Sequence, residues 1–439
     1  MVQLLARPAA TTAANQYRAY TRHNFRDLPQ VSRLSPAQVH AIDVVSQVLP
    51  FKTNNYVVDE LINWDEIPDD PMFVLNFPQE GMLRPADFSR IAALVDSSQG
   101  PDVIRAAADD IRLSLNPHPA GQIEHNVPEL DGQRLPGIQH KYPETVLFFP
   151  GSGQTCHAYC TFCFRWPQFV GMDGLQFAMK EVGLLIAYLR QHPEVTNVLF
   201  TGGDPLVMKT SRLASYVDAI LDAKLPNLTT IRFGTKALGY WPYRFLGEDG
   251  DELLRLFRRI RGSGLHVAVM AHFNHPRELS TPTVREAMER VRETGAQIRA
   301  QSPLMRHIND DSGVWRDMWR EEVRLGAIPY YMFVARDTGA KHYFDVPLVR
   351  AWEIFQGAYQ NVSGLARTVR GPSMSCDPGK VAVLGPTEIH GKPALALLML
   401  QGRNPDWVMR PFFAEYDESA TWIDELRPAF GDEKFFFED

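Results

Sequence analysis

Residues 145–165 read TVLFFPGSGQTCHAYCTFCFR. The run VLFFP (146–150) is apolar and short, as a buried strand is. It breaks at Pro150 and Gly151 and leads through a glycine turn into Cys156, Cys160 and Cys163. Three thiolates on one loop can hold three irons of a four-iron cube and leave the fourth iron open to a ligand. Zinc usually takes four ligands, often as two CxxC pairs, and no second pair follows. His157 adjoins Cys156 and would crowd a shared zinc.

Downstream, short apolar runs alternate with amphipathic ones. The helix-period stretches are 175–192, 211–224, 251–264, 281–295 and 314–327. Between them lie the strand-like runs VTNVLFTGGDP (195–205), TTIRFGT (229–235), LHVAVMAHF (265–273), AQIRAQSPL (296–304) and PYYMFVA (329–335). Six βα steps predict an α/β fold, a partial (β/α)6 TIM-like barrel with its chemistry at the carboxyl ends of the strands. Upstream, residues 35–50, 87–97 and 101–114 carry helix periodicity with Ser or Pro at their starts. The expected organisation is an N-terminal helical region (1–140), a barrel (141–365) and a turn-rich C-terminal segment (366–439).

The 439-residue chain is 45% hydrophobic and 22% charged with net charge −7. That is the balance of a soluble globular protein, without the basic excess a nucleic-acid binder needs. No apolar run reaches the roughly 20 residues of a membrane span. The first residues lack a secretory apolar core, so the expected location is the cytoplasm, with a transit peptide as the minor reading. Four cysteines are too few for a disulfide framework. Cys376 lies apart and reads as a small buried residue rather than a fourth ligand.

Thr201-Gly202-Gly203-Asp204-Pro205 closes the second barrel strand. On its own it is a tight turn; its glycines also allow close ligand approach, and the Asp204 carboxylate can meet an ammonium. Pro378-Gly379-Lys380 on its own is an ordinary exposed turn.

The CxxxCxxC loop after a first βα-barrel strand resembles the radical S-adenosylmethionine superfamily, with Phe162 as the aromatic before the third cysteine. More narrowly, the chain resembles lysine 2,3-aminomutase and its relatives from about 130 to 385. The resemblance rests on PGIQHKYPETVLF (136–148), the cysteine loop and TGGDPL. It continues through His272 to Pro276, Gln301-Ser302 with Asn309-Asp310, Pro329 to Tyr331, and Pro378-Gly379-Lys380. It implies a [4Fe-4S] cluster on the three cysteines and S-adenosylmethionine held partly by Gly202, Gly203 and Asp204. His272 and Gln301 join the cofactor contacts. Pyridoxal 5′-phosphate is implied on Lys380, with Lys141 at its phosphate; the family's second basic position is Thr145 here. Arg165 matches the residue that grips the substrate carboxylate. The implied reaction is a 2,3-aminomutation of an α- to a β-amino acid through a 5′-deoxyadenosyl radical.

The chain departs from the lysine enzymes where they place two aspartates for the far ammonium. Counting without gaps puts Arg336 at one, with Asp337 beside it, and Ser373 at the other, with Arg370 nearby. An acidic or neutral substrate is therefore expected over lysine. Implied partners are a small amino acid, an electron donor such as flavodoxin or ferredoxin, and further copies of the chain. The alternatives are a radical enzyme without pyridoxal phosphate, an aminomutase acting on a protein lysine, and a non-catalytic iron–sulfur protein.

Overall fold

The computed structural model describes residues 16–116, 126–171 and 178–438. Eleven strands form one sheet: β1 (Ile138–Tyr142), β2 (Thr145–Phe148), β3 (Asn197–Phe200), β4 (Thr230–Thr235), β5 (His266–His272), β6 (Gln297–Leu304), β7 (Ala327–Val334), β8 (Arg370–Ser375), β9 (Gly379–Ile389), β10 (Lys392–Gly402) and β11 (Pro411–Glu415). They lie side by side in chain order. From β2 to β8 every neighbouring pair is parallel. A helix follows each of the first six: Val182–Gln191, Thr210–Asp222, Gly247–Gly262, Pro282–Glu293, Ser312–Arg324 and Leu348–Gln360. The six expected βα steps are present, but the sheet stays open: β1 forms one end and β11 the other.

Side chains alternate along these strands. In β2, Val146 and Phe148 are fully buried against the helices, while Thr145 and Leu147 point to the other face. The same alternation in β4 buries Ile231 and Phe233 and turns Arg232 and Gly234 to the far side. One face of the sheet therefore makes the main core, and the opposite face lines a cavity.

Two boundaries differ from expectation. The helix anticipated at 175–192 is helical only from Val182 to Gln191 among the described residues, and 172–177 lie outside them. Met179 is extended because its N–H donates to the Phe149 carbonyl and its own carbonyl accepts from Gly151. The segment after 365 is not a turn-rich appendage: β8 joins the parallel run, and β9, β10 and β11 continue the sheet as antiparallel strands.

The N-terminal helices fall close to expectation at Pro36–Val48, Pro85–Asp96 and Pro101–Ser114. A reciprocal Ser35–Gln38 capping box starts the first. Their core includes Ala158 and Trp166 of the cysteine loop, Tyr240 and Trp241 beyond β4, Met305 and Ile308 beyond β6, and Phe344 beyond β7. The N-terminal region thus caps the carboxyl ends of the parallel strands. Among the described residues no helix is long and apolar enough to cross a membrane.

Phe148 is fully buried, with ring centres 5.3 Å from Phe200 and 5.6 Å from Tyr216. Phe148→Ala should cost about 3–5 kcal/mol of stability, read as a lower unfolding midpoint in urea.

Candidate active site

The cysteine loop is seated from two sides. From below, the Gly203 N–H donates to the Gly153 carbonyl (3.1 Å) and the Asp204 N–H to the Thr155 carbonyl (2.7 Å). Gly202 has φ +141°, and a Cβ on Gly203 would lie 2.4 Å from the Thr155 carbonyl oxygen, so the turn admits no side chain. From above, Lys52 Nζ donates to the Cys156 carbonyl (2.7 Å), and Tyr17 Oη (2.7 Å) and Asn54 Nδ2 (3.2 Å) donate to that of His157. Thr161 Oγ1 donates to the Val74 carbonyl (2.8 Å).

The thiols feel one another's charge. Burial raises Cys156 well above an ordinary thiol, and Asp204, Cys163 and Cys160 push it the same way. Burial lifts Cys160 to about 12, and Lys236 opposes it. Burial also raises Cys163, opposed by a backbone hydrogen bond and by Arg165. Thiolates here need a cationic partner such as iron. Among the described residues no three His, Cys, Asp or Glu side chains converge on one metal-ion position. A four-iron cube asks for something else, one thiolate on each of three irons. His157 is buried and neutral, with its carbonyl engaged by Tyr17 and Asn54.

The Asp204 carboxylate is turned into the fold. Its oxygens accept from Leu206 N (2.9 Å), Thr235 Oγ1 (2.8 Å) and Lys236 N (2.9 Å). These donors hold a carboxylate that is 1% exposed, so Asp204 supports the turn. Lys236 Nζ is paired with buried Glu278 and donates to Asn274 Oδ1 (2.8 Å). Asn274 Nδ2 reaches His272 Nε2 (3.2 Å) and Ser302 Oγ (2.9 Å). Burial beside Lys236 keeps His272 neutral, and its ring meets Phe162 of the cysteine loop at 5.8 Å.

Next to this loop lies a cavity of about 270 Å³, near the lower end of small-molecule sites, roughly 300–1,000 Å³. Lys141, Arg165, Arg232, Arg336 and Lys380 line it together with Gln301, and among the described residues no lining side chain is acidic. Lys380 Nζ donates to Gln401 Oε1 (2.8 Å) and faces the rings of Tyr331 (4.6 Å), Tyr142 (5.4 Å) and Phe333 (6.0 Å). Burial, helped by Arg232, Arg370 and Lys141, lowers its pKa to about 7. Lys141, which donates to the Cys376 carbonyl, is lowered to about 8 by burial. Arg165 and Arg336 both approach the Phe164 ring, at 5.0 and 5.2 Å. Buried Tyr142 Oη, Tyr331 Oη, Gln139 Nε2, Arg232 Nε and Arg336 Nε make no hydrogen bond. So many orphaned donors around one cavity, among five basic side chains, fit a polar anionic ligand.

Lys380, Lys141, Arg165, Arg336 and Gln301 thus meet in one cavity, and Gly202, Gly203, Asp204 and His272 lie around the cysteine loop. Asp337 is half-buried and does not line the cavity. Ser373 is fully buried within β8, and Ser375 lines the cavity instead. Arg370 packs on Tyr330 and Tyr331 (both 4.6 Å). Cys376 is buried, as expected. Reading the sequence missed Arg232, Gln401, Lys52 and the Lys236–Glu278 pair. For Arg232 a signal existed: a cation between Ile231 and Phe233 in a strand.

The chain is 32% identical over 365 residues to a putative L-lysine 2,3-aminomutase of Aquifex aeolicus, covering 83% of this chain and 85% of that one. It is 28% identical to the L-lysine 2,3-aminomutase of Clostridium subterminale, covering 64% of each. It is 27% identical to a glutamate 2,3-aminomutase of Clostridioides difficile, covering 52% of this chain and 51% of that one. No protein-family profile matches it. Among solved structures, Streptococcus suis SuiB bound to S-adenosylmethionine aligns at 11% identity and TM-score 0.35, over 62% of this chain and 56% of that one.

The lowered pKa makes Lys380 the lysine that loses its proton earliest as pH rises. Labelling with an amine-reactive reagent, read by peptide mass spectrometry, should show its rate climbing through pH about 7, well below the ordinary range of a lysine amine.

Proposed function

The chain belongs to the lysine 2,3-aminomutase family, and we propose that it is a radical S-adenosylmethionine isomerase moving an amino group from C2 to C3 of an acidic amino acid, with pyridoxal phosphate on Lys380. The observation that carries this reading is the cavity with five basic side chains: it holds a buried amine of pKa about 7 and no acid among its described lining residues, and it lies beside a three-cysteine loop. When bound, the [4Fe-4S] cluster with S-adenosylmethionine supplies the hydrogen-abstracting radical, and pyridoxal phosphate supplies the conjugated ring that activates the migrating nitrogen.

The chain's own residues supply the rest. Cys156, Cys160 and Cys163 would hold the cluster, with the Gly202-Gly203 backbone beside it for S-adenosylmethionine. Lys380 is half unprotonated near neutral pH and is held in place by Gln401, as a carbonyl-binding amine must be. Lys141 offers a cation to the cofactor's phosphate. Arg165, two residues past Cys163, offers a bidentate fork to the substrate α-carboxylate. The N-terminal cap packs over the cysteine loop, where shielding from water would protect a radical. The open sheet with its six βα steps serves as a partial barrel. The reading includes a low-potential donor such as flavodoxin or ferredoxin, a cytoplasmic location and a homo-oligomer.

Charge supports the acidic substrate. Arg165 takes one carboxylate, and Arg336, on the same Phe164 ring, is left for a second. A lysine ammonium would meet that guanidinium with no lining acid to offset it. Like charges about 4 Å apart repel by about 4 kcal/mol at an effective dielectric of about 20, or nearly a thousandfold in affinity.

Two measurements test the reading. Alanine at Cys156, Cys160 or Cys163 should abolish iron loading and S-adenosylmethionine cleavage, whereas Cys376→Ala should keep both; cleavage by Cys160→Ala would refute the cluster assignment. In a panel of amino acids with reductant and S-adenosylmethionine, glutamate or another acidic substrate should outpace lysine by at least tenfold in β-isomer formation. Arg336→Asp should reverse that order. Preference of the wild type for lysine would refute the acidic-substrate reading.

A further inference from the structure

We propose that Arg232 is an anion anchor at the floor of the cavity and that its ligand is the phosphate monoester of the cofactor on Lys380; this rests on the cofactor reading above. Arg232 stands in β4 with its side chain on the cavity face, between two fully buried neighbours, Ile231 and Phe233. One guanidinium nitrogen donates to Thr145 Oγ1 at 3.4 Å. Its Nε is buried and makes no hydrogen bond. A desolvated guanidinium with a free donor, beside a cavity whose described lining residues include no acid, is costly unless an anion arrives there.

Position selects which anion. Thr145 opens β2, and the cysteine loop follows the other end of that strand. Arg165 and Arg336 flank Phe164, one residue beyond Cys163, so the substrate's carboxylates belong at that end. Lys380 feels the charge of Arg232 more strongly than that of any other cation. In pyridoxal phosphate the phosphate arm is on the ring carbon next to the one that joins Lys380, so the phosphate must lie within short reach of Lys380. With the substrate's carboxylates at the cysteine-loop end, that leaves the side of the cavity where Arg232 meets Thr145, toward the start of β2. Thr145 is where the resemblance implies a second basic residue, and Arg232, two strands away, brings a guanidinium to its hydroxyl.

The test compares pyridoxal phosphate with pyridoxal, which lacks only the phosphate, on the full chain. Affinity is read from absorbance, and the adduct is mapped to Lys380 after borohydride reduction. A charge-assisted contact contributes about 1.5–3 kcal/mol, roughly 10- to 100-fold in affinity. Arg232→Met should weaken pyridoxal phosphate by that factor and leave pyridoxal within about twofold. Arg232→Lys should fall between, and adding Thr145→Arg to Arg232→Met should restore discrimination. In the wild type, inorganic phosphate should compete with pyridoxal phosphate but not with pyridoxal, which tests the subsite even if the variants fold poorly. Parallel loss for both ligands, unchanged pyridoxal phosphate affinity, or no phosphate competition would overturn the assignment. Absence of any Lys380 adduct in the wild type would instead refute the cofactor reading on which the anchor depends.

Discussion

Asp204 ties three strand ends together. Its carboxylate accepts from Leu206 in its own turn and from Thr235 and Lys236 at the end of β4, while its N–H donates to Thr155 at the entrance of the cysteine loop. A carboxylate that is only 1% exposed persists in such a place because all its donors are supplied by the fold. Burial raises its pKa to about 6, and the hydrogen bonds oppose that rise. Remove the tie and the glycine turn loses its register against Gly153 and Thr155, and the cysteines lose their footing. Lys236, whose N–H completes the tie, extends the order through Glu278 and Asn274 to His272 and Ser302.

The N-terminal region completes the enclosure from outside the sheet. Carbonyls in a buried loop must find donors, and those of Cys156 and His157 find Lys52, Tyr17 and Asn54. The cap and the loop form one hydrophobic cluster, so neither is completed without the other. The cysteine loop is therefore gripped by the sheet below and by chain more than a hundred residues earlier above.

Electrostatics divides the site into two zones. Around the cysteines the buried charges are balanced: Lys236 has Glu278, and Asp204 has its donors. In the cavity five basic side chains stand with no acid among the described lining residues. Desolvation lowers the pKa of each of them, which marks the imbalance an anionic ligand would relieve. In the first zone the charges beside the three thiols are paired within the protein; in the second the balance depends on what binds.

Local features carried much of this. The spacing of three cysteines, the glycine turn and the six alternations of strand and helix all depend on contacts within a few residues, so periodicity and motif reveal them. The linear string also put Lys380, Lys141 and Arg165 near one another through family resemblance, and the cavity brings them together. Tertiary structure decided what depends on strand order and facing. Arg232 in TTIRFGT is a cation in a strand until parallel pairing sets its face beside Thr145, 87 residues away. Asp204 gains the donors Thr235 and Lys236 only when β4 pairs beside β3. Adjacent residues such as Arg336 and Asp337 differ by one position in the chain, yet only Arg336 lines the cavity. Side-chain direction follows backbone twist and packing, which no spacing encodes.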